Sequence, residues 1–439
     1  MAYAIDLFCG AGGMSEGMIQ AGFQILFSSD INEAVQQTYM NRHHQLGLLQ
    51  GVNTYFHRSD IRDLTGELIW DAINGLDCFS DKNAPDRIDA IFGGPPCQGF
   101  SRAGRRKPDD PRNLLFKEYL RVIYEVSPRY VVMENVEGFL DMKFYGFVGG
   151  TGKIYEDGAV APDILREELQ LLGYHTLEPR VLNAADYGVP QRRQRIIFIA
   201  YQDGERKPLY PLPITDENHR VTIQDAISDL IRDEKVKNRV FHDLTTYQRE
   251  SIKGRTKTID GKTLPSKEYI NNELSSHSQL IIERFSLFRE GEDGSALRKR
   301  IMTEGIDLSD KKELIKLCVQ SMDQTEEEVL KIFLNAKAKA SDLEVLLTKK
   351  NIRTRLSSDA PSATVMTIPD DYISPFEHRT FSVRELARLQ SFDDSFEFLG
   401  KRTTGGLRRR VEVPQYSQVG NAVPPLLAKA VAAEILKVL

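Results

Sequence analysis

The chain opens on an apolar run at residues 3–9 (YAIDLFC) that stops at Gly10-Ala11-Gly12-Gly13. This is the texture of a buried strand entering a glycine turn. A helix-compatible stretch follows, then a second strand at 24–29 that closes on Asp30. Residues 31–43 carry helical spacing, and a weaker strand precedes Asp60. Residues 87–92 (RIDAIF) form another strand candidate and run into Gly93-Gly94-Pro95-Pro96. Helical periodicity returns at 114–125, and a buried strand at 130–133 stops at Glu134. A helix covers 161–172, and a strand occupies 195–201 (RIIFIAY). Strands alternating with helices predict an α/β layer fold around a largely parallel sheet. Ligands of such sheets collect at the carboxyl ends of the strands. Cys9 to Gly13, Asp30, Asp60, Cys97 and Glu134 all fall just after predicted strands.

Near residue 205 the alternation stops, and Pro208, Pro211 and Pro213 punctuate the chain (KPLYPLPIT). A domain boundary is placed there, and residues 206–375 are polar and irregular. Within them 280–288 and 310–347 carry helical spacing, with Thr325-Glu-Glu-Glu328 as a helix start. Residues 381–392 read as an amphipathic helix capped by Ser382, and the tail 425–439 as an apolar helix. The resulting division is one domain from 1–205 and 413–439, and a second from 206–412 with a helical insertion near 308–347.

Composition narrows the class. Of 439 residues, 41% are hydrophobic and 28% charged, enough apolar material for a sizeable core and too little bias for a fibrous or disordered chain. No run of ~18 apolar residues predicts a membrane span, and the first residues lack the basic and apolar regions of a secretory signal. The four cysteines include no CxxC pair, which fits a reducing cytoplasm better than a disulfide framework. No His/Cys cluster has zinc spacing, so no metal is expected. The net charge of −5 does not advertise nucleic-acid binding. Its distribution, acidic to residue 205 and slightly basic in the middle, suits a small-molecule site beside a polyanion site.

The glycine turn after the first strand allows a close backbone approach to a ligand. It is not a dinucleotide fingerprint, because Ser15 stands at the third glycine position. Asp30, closing the next strand, sits where a carboxylate can accept both hydroxyls of a ribose, and Asp60-Ile61 could flank an adenine. Each aspartate taken singly reads equally well as a cap or turn residue. The stretch Gly93-Gly-Pro-Pro-Cys-Gln-Gly-Phe-Ser101 displays Cys97 between rigid prolines and flexible glycines. A free thiol has a pKa of about 8.5, so a nucleophilic Cys97 needs help from a neighbour or the substrate.

These stretches, with Glu134-Asn135-Val136, Gln191-Arg-Arg-Gln-Arg195, Arg384-Glu-Leu-Ala-Arg-Leu-Gln390 and Gln418-Val-Gly-Asn-Ala-Val-Pro424, resemble the ordered motifs of DNA cytosine-C5 methyltransferases. The resemblance covers 1–205 and about 376–439. It implies a Rossmann-like S-adenosylmethionine-dependent methyltransferase sheet with a smaller target-recognition domain. It makes Cys97 the nucleophile that attacks C6 of cytosine, so that C5 becomes an enamine carbon able to take a methyl group. Glu134 then holds N3 of the ring, Arg195 holds O2, and Arg193 and Gln191 support them. Because Arg195 abuts RIIFIA, a buried pairing of Arg195 with Glu134 is expected. For S-adenosyl-L-methionine, and its product S-adenosyl-L-homocysteine, the resemblance assigns Phe8 to stacking on adenine. It gives the backbone of Gly10, Gly12 and Gly13 to the amino-acid end, Asp30 to the ribose and Ile31 to the base. Asp60 and Ile61 flank the adenine edge, and Pro96, Leu115 and Asn421 complete the pocket. Many relatives carry Glu where Asp30 stands.

A stacked cytosine hides C5, so the base must be flipped out of the duplex. The loop with Gln98, Ser101, Arg102, Arg105 and Arg106 resembles the mobile loop that closes on DNA and grips phosphates. Thr364 resembles the threonine of the recognition domain, and Arg353, Arg355, Arg408 and Arg409 are candidate DNA contacts. The stretch 308–347 matches no motif and reads as scaffold. Three rival readings fare worse. An RNA methyltransferase of the same fold is disfavoured because its Cys-Phe-Thr tripeptide is absent. A non-catalytic relative would lack Cys97 or Glu134, and a nicotinamide-dependent dehydrogenase would carry the third glycine. The implied protein is a cytoplasmic bacterial or phage monomer acting on double-stranded DNA, away from membranes. It is an orphan, or the modification enzyme of a restriction-modification system whose endonuclease acts separately.

Overall fold

From Ala4 onward the first strand, β1 (Ala2–Leu7), is buried on both faces, which its near-continuous apolar run requires and which places it mid-sheet. The computed structural model describes residues 1–81, 83–96, 115–347, 353–404, 408 and 412–439. After β1 come α1 (Gly13–Ala21), β2 (Phe23–Asp30), α2 (Glu33–Gln45), β3 (Tyr55–Arg58), α3 (Gly66–Asn74), β4 (Ala90–Gly93), α4 (Leu115–Val126) and β5 (Tyr130–Asn135). These five strands lie parallel in the order β3-β2-β1-β4-β5. The chain therefore moves outward from β1 to β3, then restarts on the other side of β1 at β4. Leu7 is in register with Ser29 on one side and Gly93 on the other, so the strands on either side of this reversal end together. The crevice at such a reversal is where open α/β sheets bind ligands.

The sheet is completed by three strands joined through antiparallel pairing, of which the sequence reading separates only the one at 195–201. A separate two-residue ladder outside this sheet, β6 (Lys143–Phe144) with β7 (Ala159–Val160), precedes α5 (Ala161–Leu171). Then β8 (Tyr174–Thr176) and β9 (Arg180–Asn183) both pair with β10 (Gln194–Gln202), which lies antiparallel to β5. Antiparallel pairing brings the start of β10 to the edge where the parallel strands end. That reversal, rather than sequence proximity, brings Arg195 to Glu134.

The regular elements of the remaining chain are mainly helices. It runs through α6 (Ile223–Ile227), α7 (Glu234–Val240), α8 (Thr246–Lys253), α9 (Gln279–Ser286), α10 (Gly294–Glu304), α11 (Lys312–Met322), α12 (Glu326–Leu334) and α13 (Ala340–Leu346). Short strands β11 (Thr354–Arg355) and β12 (Tyr372–Ile373) follow, then α14 (Val383–Leu389), α15 (Gln415–Asn421) and α16 (Pro425–Leu436). Thr325 starts α12 through a reciprocal capping box with Glu328, as the sequence indicates. Ser382 caps α14 in the same way with Glu385. That helix is not amphipathic, however: all seven of its residues are buried. The charged positions that suggested a wet face are ion-paired inside, where Arg388 meets Asp229 at 2.6 Å and Asp394 at 2.7 Å.

Alternation along β1 sends Ile5 and Leu7 to a core shared with α3, α4 and α5, and Ala4 to the opposite core. The second core is closed by Met14 and Met18 of α1 and by Leu427, Val431 and Ile435 of α16. The apolar tail is thus an inside helix. Its fit on α1 is close, since a Cβ on Gly17 would lie 2.5 Å from the Ala428 Cβ. Residues 206–412 do not share one core. Parts of 223–247 and 356–398 pack in a cluster that includes Ala11, whereas α9 to α13 enclose a cluster around Phe285, Leu314 and Phe333. Arg42 of α2 fastens the first of these to the sheet half by pairing with Glu16 at 2.8 Å and Asp393 at 3.4 Å, all three buried.

Candidate active site

A cleft of about 620 Å³ opens at the carboxyl ends of the parallel strands. Its wall is built by the segments after β1 (Phe8, Cys9, Gly10), β2 (Asp30, Ile31), β3 (Asp60, Ile61) and β4 (Gly94, Pro95, Pro96), with Glu134 of β5 and Asn421 of α15. Leu115 also lines it. The sequence-chosen residues of the cofactor set therefore converge, with two exceptions. Gly12 and Gly13 do not line the cleft. A Cβ on Gly12 would meet Tyr39 at 3.1 Å, and one on Gly13 would lie 2.3 Å from the Val423 carbonyl oxygen. Both glycines serve the packing of α1 against α2 and the chain leading into α16.

The cleft carries marks of ligand accommodation. Phe8 has φ 57° and Gly10 φ 54°, so the turn holds a non-glycine residue in the left-handed region at a cost of ~1–2 kcal/mol. Asp30 accepts from the amides of Gly10 (3.1 Å) and Asn32 (2.9 Å). Burial pushes its carboxyl up, and these amides hold it back. Beside it Ile31 is 63% exposed, an apolar side chain left facing the cleft. Asp60 caps its own turn and binds Arg62 at 2.6 Å, which holds its carboxyl below the usual range.

Two further groups line the cleft: Asp6, which sequence reasoning passed over, and Cys9, which it placed only as a strand-end residue. Asp6 is buried and accepts a hydrogen bond from Ser15, whose hydroxyl also contacts Tyr39 at 2.8 Å. Burial pushes the Asp6 carboxyl up to about 7. Cys9 is a buried free thiol, which burial pushes upward. The only signal for Asp6 was its position within the DLFCGAGG stretch itself.

At the other end of the cleft Glu134 and Arg195 form the buried pair the sequence suggests, with Glu134 Oε1 2.7 Å from Arg195 Nε. A Cβ on Gly94 would lie 3.2 Å from Glu134 Oε2, so the carboxylate rests against the loop that leads to Pro96. Asn135 donates from its amide to the Pro95 carbonyl at 3.0 Å and fixes that loop. Arg193 is fully buried and donates to the Gly420 carbonyl at 3.1 Å. Its Nε meets no acceptor among the described residues. Burial and the neighbouring Arg195 push its guanidinium well down. Gln191 is buried as well, and donates to the Leu389 carbonyl at 3.1 Å.

Cys97, Gln98, Ser101, Arg102, Arg105, Arg106 and Arg409 lie outside the described residues. The other DNA-contact candidates divide. Arg408 is exposed. The Thr364 hydroxyl donates to the Arg192 carbonyl at 3.0 Å, which docks its turn beside the start of β10. Arg353 lies over Phe285 at 5.2 Å and donates to the Asp370 carbonyl. Arg355 does not face solvent. It is buried, donates to the carbonyls of Phe288 and Pro375, and contacts His378 at 3.1 Å. An arginine in a polar stretch reads as surface, but here its fork joins two backbone carbonyls and a histidine ring.

Known proteins resemble this chain along nearly its whole length. A family model for C-5 cytosine-specific DNA methylases matches residues 3–437. Type II methyltransferase M.DdeI of Desulfomicrobium norvegicum is 30% identical over 443 residues, covering 98% of this chain and 88% of that protein. Type II methyltransferase M1.HphI of Haemophilus parahaemolyticus is 31% identical over 436 residues, covering 99% and 86%. In fold, the chain is similar to the crystal structure of a candidate DNA modification methyltransferase encoded within an E. coli prophage. The TM-score is 0.62 at 22% identity, with 100% of this chain and 99% of that one covered.

Proposed function

The chain belongs to the C-5 cytosine-specific DNA methylases and is a DNA cytosine-5 methyltransferase of restriction-modification type, and on that premise we propose how its residues divide the reaction. S-adenosylmethionine, when bound, supplies the electrophilic methyl group and leaves as S-adenosylhomocysteine. The chemistry of the cleft fits it: Asp30 offers a carboxylate to a ribose diol, and Phe8, Ile31 and Ile61 offer apolar faces to a purine. Gly10, Pro96, Leu115 and Asn421 border the same space.

The target base enters flipped from the duplex, which costs a few kcal/mol. Cys97, next in sequence after Pro96, adds as thiolate to C6 and forms a C–S bond. Negative charge builds on the ring, and Glu134 holds a proton or hydrogen bond at N3 to receive it. Arg195 fixes Glu134 and reaches O2 of the base. Arg193 braces the segment that carries Asn421. Once C5 bears the methyl group, loss of its proton expels the thiol and restores the ring. The recognition domain reads double-stranded DNA through the Thr364 turn and basic residues including Arg408. The enzyme works as a monomer in the bacterial cytoplasm, and a cognate endonuclease acts separately on unmodified sites.

One observation carries this reading. The Glu134–Arg195 pair and Asp30 share a single cleft at the strand reversal, so a base and an adenosyl group can meet there. The test is bisulfite sequencing of DNA from a methylation-free bacterial host expressing the chain, with Cys97→Ala as control. Protected cytosines in one short context, absent from the control, are expected. Protection that persists in the control would remove Cys97 from its role.

A further inference from the structure

Two buried glutamines join the Thr364–Val365 turn to the wall of the cleft. Gln191 accepts from the Val365 amide at 2.8 Å and donates to Gln390 Oε1 at 2.5 Å. Gln390 in turn donates to the carbonyls of Val419 (2.7 Å) and Ala422 (3.0 Å). Those two carbonyls bracket Asn421, which lines the cleft. Both glutamines are wholly buried, and each uses its amide nitrogen twice and its oxygen once. A saturated buried network of this kind has few alternative arrangements.

A second contact runs alongside. A Cβ on Gly420 would lie 2.7 Å from the Met366 backbone, so the chain just after the turn rests on the cleft-lining segment itself. Arg193 donates to the Gly420 carbonyl, which attaches the arginine motif to the same place. The turn cannot shift without pulling on residues 419–422.

We infer that Gln191 and Gln390 are positioning residues that couple DNA engagement at the Thr364–Val365 turn to the cofactor-facing segment around Asn421. This rests on the reading of that turn as part of DNA recognition and of the cleft as the cofactor site. The coupling is reciprocal by thermodynamic necessity: DNA tightens the cofactor as much as the cofactor tightens DNA. Neither glutamine lines the cleft.

The test measures S-adenosylhomocysteine affinity by calorimetry, with and without a duplex carrying the context found by bisulfite sequencing. The natural chain should bind it at least about fivefold more tightly with DNA. Gln191→Met cuts the link at the turn and leaves Gln390 holding Val419 and Ala422. Gln390→Met cuts it at the cleft. Each should keep DNA-free affinity within about twofold and lose the tightening, and the double variant should lose no more than either single one. At saturating DNA, KM for S-adenosylmethionine should rise more than kcat falls. Should Gln390→Met fail to fold, Gln191→Met alone decides. Coupling retained in a folded variant, absent from the natural chain, or lost together with DNA-free affinity would overturn the relay. Absence of methylation by the natural chain in the bisulfite experiment would instead strike the reading beneath it.

Discussion

Arg195 Nε lies 2.7 Å from Glu134 Oε1, across the antiparallel seam of β10 and β5. The two residues come from strands running in opposite directions, one at its start and the other at its end. Removing one member of a buried pair leaves the other charge uncompensated, which costs ~3–5 kcal/mol. Glu134→Gln keeps the shape and takes away the proton-holding group. We expect kcat to fall about 100-fold or more, with S-adenosylhomocysteine affinity changed less than about threefold. Single-turnover kinetics and calorimetry check the two halves, and equal losses in both would contradict the assignment.

Asp30 makes a second, separable prediction. Hydrogen bonds to a charged group contribute ~1.5–3 kcal/mol, so Asp30→Ala should weaken cofactor binding roughly 10- to 100-fold. Duplex affinity without cofactor should stay within a few fold. If gel-shift affinity for DNA falls instead, the ribose assignment is wrong.

Asp6 predicts a pH signature. Burial pushes its carboxyl up to about 7, whereas an unfolded aspartate titrates near ~3.9. The folded state keeps a proton that the unfolded chain releases, so this group's contribution to stability is lost as pH rises from about 4 to about 7. Asp6→Asn has no proton to lose. Its melting temperature relative to the natural chain should climb between pH 5 and 7 and level off above. A difference independent of pH would show that Asp6 titrates normally.

The glycines of the first turn separate by role. Gly13→Ala drives a Cβ onto the Val423 carbonyl and should lower stability by ~1–3 kcal/mol, seen in denaturant unfolding. Gly10→Ala meets no atom within 4 Å. Its effect should fall mainly on cofactor affinity, with unfolding displaced by ~1–2 kcal/mol at most from the left-handed backbone.

The arginines offered to DNA should divide likewise. Arg408→Ala should weaken duplex binding and reduce the salt slope by about one phosphate contact. Arg355→Ala should leave that slope unchanged and lower the melting temperature, because its guanidinium is buried among backbone carbonyls. A changed slope for Arg355 would return it to the DNA surface.

Much of this site was legible because a parallel sheet gathers strand ends. Phe8, Asp30, Asp60 and Glu134 each follow or close a short apolar run, and the fold alone makes them neighbours. Partners fixed by long-range packing were not legible. Nothing in the spacing links Arg42 to Asp393, yet they meet across most of the chain. The α14 arginines read as a wet face because charge is usually solvated, and only tertiary pairing with Asp229 and Asp394 overrides that. Gly12 and Gly13 pack closely against Tyr39 and Val423, a demand not legible either, because a glycine kept for close packing looks the same in sequence as one kept for a ligand.

The seating of α16 on α1 has a consequence for how the protein is made. The ribosome delivers the glycine turn long before the helix that supports it. Until residues 413–436 have left the exit tunnel, Met14 and Met18 lack their covering side chains, and the cleft lacks Asn421. A growing chain therefore has an incomplete cleft, whatever else has folded. Messages broken upstream of α15 and α16 are therefore expected to yield fragments with an incomplete cleft rather than promiscuous enzymes.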